Sequence, residues 1–370
     1  MIYMDNAATG GVKPDSVVSA TQAALKVCAN PGRSGHKLSI ACAERVYSVR
    51  KLLCEFFGAP SADRVIFTKN CTEALNIAIF GTLHRGDKVV TTVAEHNSVL
   101  RPLNFLEKQG VIISVAPLDS NGAIDISALA RESVGAKAVI ITLASNVTGT
   151  SPQIAKVRAS IPAETLLICD GAQACGHVPI NIAECGIDAL AVAGHKGMLG
   201  IQGSGALIFS KRFNPSPVLF GGTGSESFNL DMPEFYPDRL ESGTLSYPAI
   251  VSLGEGALYL KTHMYEHRDR TEYLSSKLYE GLLNIGDVAI YSTPNPYGII
   301  ALSLKNMQSE VAAYRLSDEY SICVRGGLHC APLMHEALNS SGLVRVSLSA
   351  FNSEREVESV LQAIDKLSSQ

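Results

Sequence analysis

The 370-residue chain is 46% hydrophobic and 18% charged, enough for one large domain and a smaller one, and it lacks the bias of disordered or collagen-like chains. A formal net charge of −4 without any Lys/Arg-rich block argues against nucleic acid or an anionic membrane as the main partner. No apolar run approaches membrane-spanning length, and MIYMDNAATGG lacks the basic segment and apolar core of a leader, so the expected compartment is the cytoplasm.

Taken in order, residues 15–28 and 40–57 have helical spacing, the first after Pro14 and the second ending before Gly58. The Gly/Pro/Ser-rich segment NPGRSGHKLS between them carries Arg33 and His36. From Val65 the pattern becomes strand, turn, helix, with seven compact apolar runs: VIFT, KVVTTV, VIISVA, AVIITLA, TLLIC, ALAVA and GALIF. Such runs predict a mostly parallel seven-stranded sheet covered on both faces. Residues 214–248 break the pattern with Gly221-Gly222-Thr223-Gly224 and Glu241-Ser242-Gly243-Thr244. A helical stretch over 248–284 leads to a smaller α+β part: strand GIIALSL, helix 309–319, strands SICV and LVRVSLS, and helix 353–367. The expected division is a large α/β domain over 15–250 and a small domain over 251–370, with residues 1–30 free to pack on either.

Nine cysteines, in odd number and without a CxxC pair, are expected to stay reduced. Cys169 and Cys323, inside apolar runs, read as small core residues. Cys330 differs: in Arg325-Gly326-Gly327-Leu328-His329-Cys330-Ala331-Pro332 it leaves a strand through two glycines and stops at a proline. That predicts an accessible thiol on a constrained loop, with Arg325 and His329 near enough to favour its thiolate.

The first chemical centre lies in TLLICDGAQACGHVPINIAECGIDALAVAGHKGMLG, residues 165–200. Its two apolar runs end in Asp170 and Gln173, then in His195 and Lys196, and ligands of such sheets sit at the carboxyl ends of strands. A lysine there can form a Schiff base with the carbonyl of pyridoxal phosphate, while a carboxylate holds the pyridine nitrogen protonated. Taken alone, the same two residues are better read as a helix cap and a solvated lysine. The polar turn Thr68-Lys69-Asn70-Cys71-Thr72 entering a helix makes Cys71 and Thr72 phosphate candidates, with Thr72 as a simple cap the alternative. His96 in Ala94-Glu95-His96-Asn97-Ser98 reads as a capping residue or a ring-stacking one, and Asn146 in Ser145-Asn146-Val147-Thr148-Gly149 as a turn residue.

Asp170-Gly171-Ala172-Gln173 followed by Ala193-Gly194-His195-Lys196-Gly197 resembles the paired signature of class V aminotransferase-like enzymes, in particular cysteine desulfurases. The likeness runs from Met4-Asp5-Asn6-Ala7-Ala8-Thr9 to Arg345-Val346-Ser347-Leu348. It implies the pyridoxal-phosphate-dependent transferase fold (fold type I) and a homodimer. By the same resemblance His96 stacks on the cofactor ring, Asn146 and Gln173 serve its phenolic side, and His195 and the partner-facing Thr244 reach its phosphate. Arg345 then clamps the substrate carboxylate, with Arg325 and His36 at the substrate side, and Cys330 accepts sulfur. Leu328 and Gln202 depart from residues common in one branch, and the short Cys330 loop resembles the compact branch. With Arg325 five residues away, an extended chain keeps the thiol within roughly 17 Å of it. The implied reaction takes L-cysteine or selenocysteine and hands sulfur to an acceptor protein or small thiol. Selenocysteine lyase, a transaminase or β-lyase without a role for Cys330, and a sulfur-transfer scaffold stand as alternatives. No metal site is expected.

Overall fold

The computed structural model describes residues 1–27 and 29–369; Cys28 and Gln370 lie outside the described residues. The chain opens with β1 (Ile2–Tyr3), α1 (Asp15–Leu25) and α2 (Lys37–Phe57). All seven apolar runs become strands of one sheet: β2 (Val65–Thr68), β3 (Lys88–Thr92), β4 (Ile112–Ala116), β5 (Ala138–Thr142), β6 (Leu166–Asp170), β7 (Ala189–Ala193) and β8 (Gly205–Phe209). Their order is β2-β8-β7-β6-β5-β3-β4, parallel except at β8, which runs antiparallel to both neighbours. Between them lie α3 (Cys71–Phe80), α4 (Asn97–Glu107), α5 (Ile126–Glu132) and α6 (Ile154–Ser160).

The uninterrupted apolar runs follow from burial on both faces. Val139, Ile141, Leu167 and Leu190 join one core, while Ile140, Ile168, Ala189 and Ala191 join another across the sheet. Burying a Val, Leu or Ile fully contributes about 1.5–3 kcal/mol before entropy is charged against it. At β3 the chain order reverses, since β4 lies on one side and β5 on the other, and the registered pairing with β5 covers only Val89↔Ala138 and Val90↔Val139. Reversals of this kind open a crevice at the carboxyl ends of strands. His96 follows β3, Asn146 follows β5, Asp170 ends β6 and Lys196 follows β7.

After the loop 214–246 the chain enters α7 (Tyr247–Leu282), a single 36-residue helix. Its first half supplies Leu253 and Ala257 to the large core, and its second half supplies Leu274 and Leu278 to a third core under the small sheet. The domain boundary expected at 250/251 therefore falls inside one continuous helix. Gly256 is needed where α7 crosses the turn after Lys196: a Cβ there would stand 2.0 Å from the Met198 carbonyl oxygen.

The small domain contains β9 (Val288–Ile290), β10 (Ile299–Leu304), α8 (Ser309–Tyr320), β11 (Ile322–Cys323), β12 (Arg325–Gly327), α9 (Pro332–Ala337), β13 (Leu343–Ser347) and α10 (Glu354–Ser368). Four strands form an antiparallel sheet in the order β12-β13-β10-β9. Ser353 and Glu356 close a capping box on α10. The N-terminus sides with this domain at first, since β1 pairs with β11 and Met4 is buried in the third core. It then returns to the large domain, where Gly10 N donates to the His195 carbonyl.

Two local expectations need correction. The strand expected in SICV is confined to Ile322–Cys323, and Arg325-Gly326-Gly327 is a strand rather than an exit from one, with Arg325 opposite Arg345. Gly326 fits because a Cβ would meet the Ser309 carbonyl oxygen of α8 at 2.2 Å. Pro332 does not stop the chain; it starts α9, where its missing N–H has no helical partner to lose.

Candidate active site

Asp170 and Lys196 line one cavity at the carboxyl ends of β6 and β7, together with Cys71 and Thr72 at the start of α3, with about 490 Å³ of empty volume open to solvent. Asp170 is 3% exposed; its Oδ1 accepts from Ala172 N at 2.9 Å and from Cys71 Sγ at 3.3 Å. Burial pushes the Lys196 amine below its ordinary value, while the Asp170 carboxylate pulls the other way. Asn70, rather than Thr72, caps α3 by accepting from Glu73 N. Thr72 Oγ1 instead pairs with Ser98 Oγ at 2.8 Å, and both hydroxyls sit at the free N–H end of α3.

His96 lines the same cavity and caps α4, its Nδ1 accepting from Ser98 N at 3.0 Å. Only the capping reading is tested by these contacts; burial lowers the imidazole, against the pull of Asp170. His195 is pushed down to about 4 by burial and by the positive charges of Lys196 and Lys13, and its Nδ1 lies 3.1 Å from Thr9 Oγ1. Gln173 and Asn146 also face the cavity. Gln173 Nε2 donates to the Ala7 carbonyl, and Asn146 Nδ2 donates to the His329 carbonyl at 2.7 Å.

That last bond belongs to the thiol loop. Cys330 is exposed, and it and His329 both adopt left-handed backbone, at φ 58° and 51°. Such a pair persists only when neighbours hold it. Asn97 N donates to the Cys330 carbonyl at 2.7 Å, and Ala331 N closes a turn onto the Leu328 carbonyl. Arg325 Nη2 stands 4.0 Å from Cys330 Sγ. His329 does not help as a charge: its Nε2 is bonded to the Leu343 carbonyl, and burial beside Arg345 and Arg325 pushes it down to about 3. It is a neutral anchor under the loop.

Arg345 is 1% exposed, and its guanidinium donates to the Asn146 carbonyl and to Asp5 Oδ1, both at 2.9 Å. Thr244 and His36 stand outside the cavity: Thr244 accepts from Asn30 Nδ2 at 3.4 Å, and His36 caps α2 by accepting from Ser39 N. Sequence reasoning passed over Asp5, Ser98, Lys13 and Glu95. Lys13 Nζ donates to the His195 carbonyl at 3.0 Å and is pushed down to about 8 by burial. Glu95 fills the gap where β3 and β5 diverge: its Oε1 accepts from Thr92 Oγ1 and from Thr142 N, its Oε2 has no partner among the described residues, and burial raises its carboxyl to about 8. Only its place, a carboxylate directly before His96 at the end of an apolar run, hinted at it.

The profile of the aminotransferase class-V family matches residues 2–360. A probable cysteine desulfurase of Pyrococcus abyssi is 31% identical over 99% of this chain and 94% of that protein. Another from Methanothermobacter thermautotrophicus is 30% identical over 99% of this chain and 94% of its own. Among solved structures, the apo cysteine desulfurase of Thermococcus onnurineus NA1 superposes with a TM-score of 0.92 at 31% identity, covering 100% of this chain and 94% of that one.

Proposed function

The chain belongs to the class V aminotransferase family, and on that footing we propose that it is a homodimeric, pyridoxal-phosphate-dependent cysteine desulfurase of the cytoplasm. It converts L-cysteine to L-alanine and carries the sulfur on Cys330 to an acceptor protein or small thiol. One observation carries this reading: the exposed Cys330 is tied by its own carbonyl to Asn97, the neighbour of His96 in the Lys196 cavity. A lyase without a sulfur-carrying role has no use for a thiol fixed there.

Members of this family in general work with pyridoxal phosphate. The donor set here fits that group. Asp170 offers a carboxylate to a ring nitrogen, Lys196 an amine to an aldehyde, and the free N–H end of α3 with Thr72, Ser98 and His195 suits a phosphate. When bound, the cofactor supplies an electron sink for carbanion chemistry at the substrate Cα.

The chain's own residues do the rest. Lys196, its amine made less basic by burial, moves the proton at the substrate Cα. Arg345, held flat by Asp5 and the Asn146 carbonyl, orients the substrate carboxylate. Arg325 places positive charge beside Cys330 Sγ. The thiolate forms an S–S bond with the substrate sulfur as the substrate Cβ–S bond breaks; the electron pair stays on Cβ, which takes a proton. Cysteine and a protein thiol thus become alanine and a protein persulfide, with no outside oxidant. Among the described residues eight cysteines are free thiols, as a reducing compartment favours, and no helix is long and apolar enough to cross a membrane. Phe220, Phe228 and Leu230 are exposed on the loop leading to Thr244, which supports a second copy covering it.

The test is Cys330→Ala given cysteine or selenocysteine. Alanine formation from cysteine should fall by about 100-fold or more, the scale of losing a covalent nucleophile. Formation from selenocysteine should persist in part, because selenium leaves more readily. Full turnover of cysteine by the variant would remove the sulfur-carrying role.

A further inference from the structure

Cys71 was a phosphate candidate, yet its side chain turns away from the phosphate end of α3. As the first residue after the cap Asn70, it could have pointed its thiol at solvent; instead it is 7% exposed, with Sγ 3.3 Å from Oδ1 of Asp170. We propose that Cys71 is a tuning residue of the Asp170 centre: its S–H···Oδ1 hydrogen bond sets how much negative charge Asp170 offers to a cofactor ring nitrogen. The proposal rests on the pyridoxal phosphate reading above.

Three observations support it. Both bonds to Asp170, from Ala172 N and from Cys71 Sγ, fall on Oδ1, so donors draw charge to one oxygen. The thiol stays a donor at neutral pH, since burial and then the Asp170 charge push it well above its ordinary value. Thiols are also weak donors. Cys71 therefore withdraws less charge from the carboxylate than a serine would and more than an alanine, and it does so inside a buried pocket where such differences are felt. The effect on the ring has a definite sign. A more negative Asp170 holds the ring nitrogen protonated more firmly, and a protonated ring makes the nitrogen of its link to Lys196 lose its proton at lower pH.

The experiment has two arms. In apo protein, the S–H stretching band, isolated as the difference between wild type and Cys71→Ala, should lie below that of a solvated thiol and move up in Asp170→Asn. A free-thiol position unaffected by Asp170→Asn would overturn the hydrogen bond, and this arm needs no cofactor. In protein loaded with pyridoxal phosphate, the pH midpoint of the visible band should fall in Cys71→Ala and rise in Cys71→Ser, by about 0.3–1 unit each. Midpoints that stay put or move in the same direction overturn the tuning role, since packing alone does not separate alanine and serine in sign. If wild-type protein takes up no pyridoxal phosphate, the proposed function and the tuning role fall together. Uptake with unmoved midpoints sinks the tuning role alone.

Discussion

The two chemical centres of this protein are made in opposite ways. Lys196 and Asp170 stand at the ends of neighbouring strands in a sheet buried on both faces, and the surroundings act on the Lys196 amine mainly through lost hydration. Cys330 sits in the open on a left-handed turn, and its surroundings act on the loop's carbonyls, Asn97 N donating to that of Cys330 and Asn146 Nδ2 to that of His329. The contrast fits the proposed chemistry. Proton transfer at carbon requires an amine made less basic, which burial supplies; sulfur delivery requires a thiol that both substrate and acceptor reach, which needs exposure and a fixed backbone.

The largest effect should come from the buried centre. Lys196→Ala is expected to lower alanine formation by about 10⁴-fold or more, since it removes both the amine proposed to bind the cofactor aldehyde and the proposed proton carrier. Borohydride treatment of wild type should attach cofactor to Lys196, checked by mass mapping. Label on another lysine would dissolve the pairing with Asp170.

A pH comparison should separate the centres next. Glu95, beside the cavity, has its folded carboxyl raised to about 8, so the folded state holds a proton that the unfolded chain releases above the ordinary carboxylate range. Its stabilising contribution is present at low pH and is lost as pH rises toward about 8. His329, under the thiol loop, is pushed down to about 3, so the unfolded chain takes up a proton first and stability is lost as pH falls below the ordinary histidine value of 6.5. His177 and His195, both lowered to about 4, add to the acid side. Thermal midpoints measured from pH 4.5 to 9 should show both slopes, each worth on the order of 1–3 kcal/mol. Glu95→Gln should flatten the fall in stability toward pH 8 and, because Glu95 opposes the histidines below pH 6.5, steepen the acid-side slope.

The smallest and most selective change is Asn97→Pro. Asn97 is the first residue of α4, a position where proline is well tolerated, and His96 before it is already extended. The substitution removes the N–H that holds the Cys330 carbonyl and little else. Cysteine turnover should fall roughly 3- to 10-fold, the scale of one hydrogen bond, with cofactor absorbance unchanged. An altered absorbance would mean that loop and cavity are one unit rather than two.

The same contrast explains what the sequence disclosed. The seven strands were legible to within a residue or two because burial on both faces makes each a continuous apolar run, and Asp170 and Lys196 were legible because they interrupt such runs at their ends. The thiol loop was legible as a place but not as a mechanism. His329 looked like a cation for Cys330 until its ring was found bonded to Leu343, and glycines 326 and 327 looked like a turn until Ser309 was found against the first. Asp5 with Arg345, 340 residues apart, and Glu95 with Thr142 are partnerships set by topology, which no local pattern encodes.

One further consequence follows from α7. Gly256 lets its backbone rest on the Met198 carbonyl, two residues beyond Lys196, and the same unbroken helix continues into the small core that carries β12 and the Cys330 loop. The helix is therefore a strut, and a strut transmits displacement without a joint at which to absorb it. A swing of the small domain relative to the large one would have to bend this helix or be felt at the lysine turn.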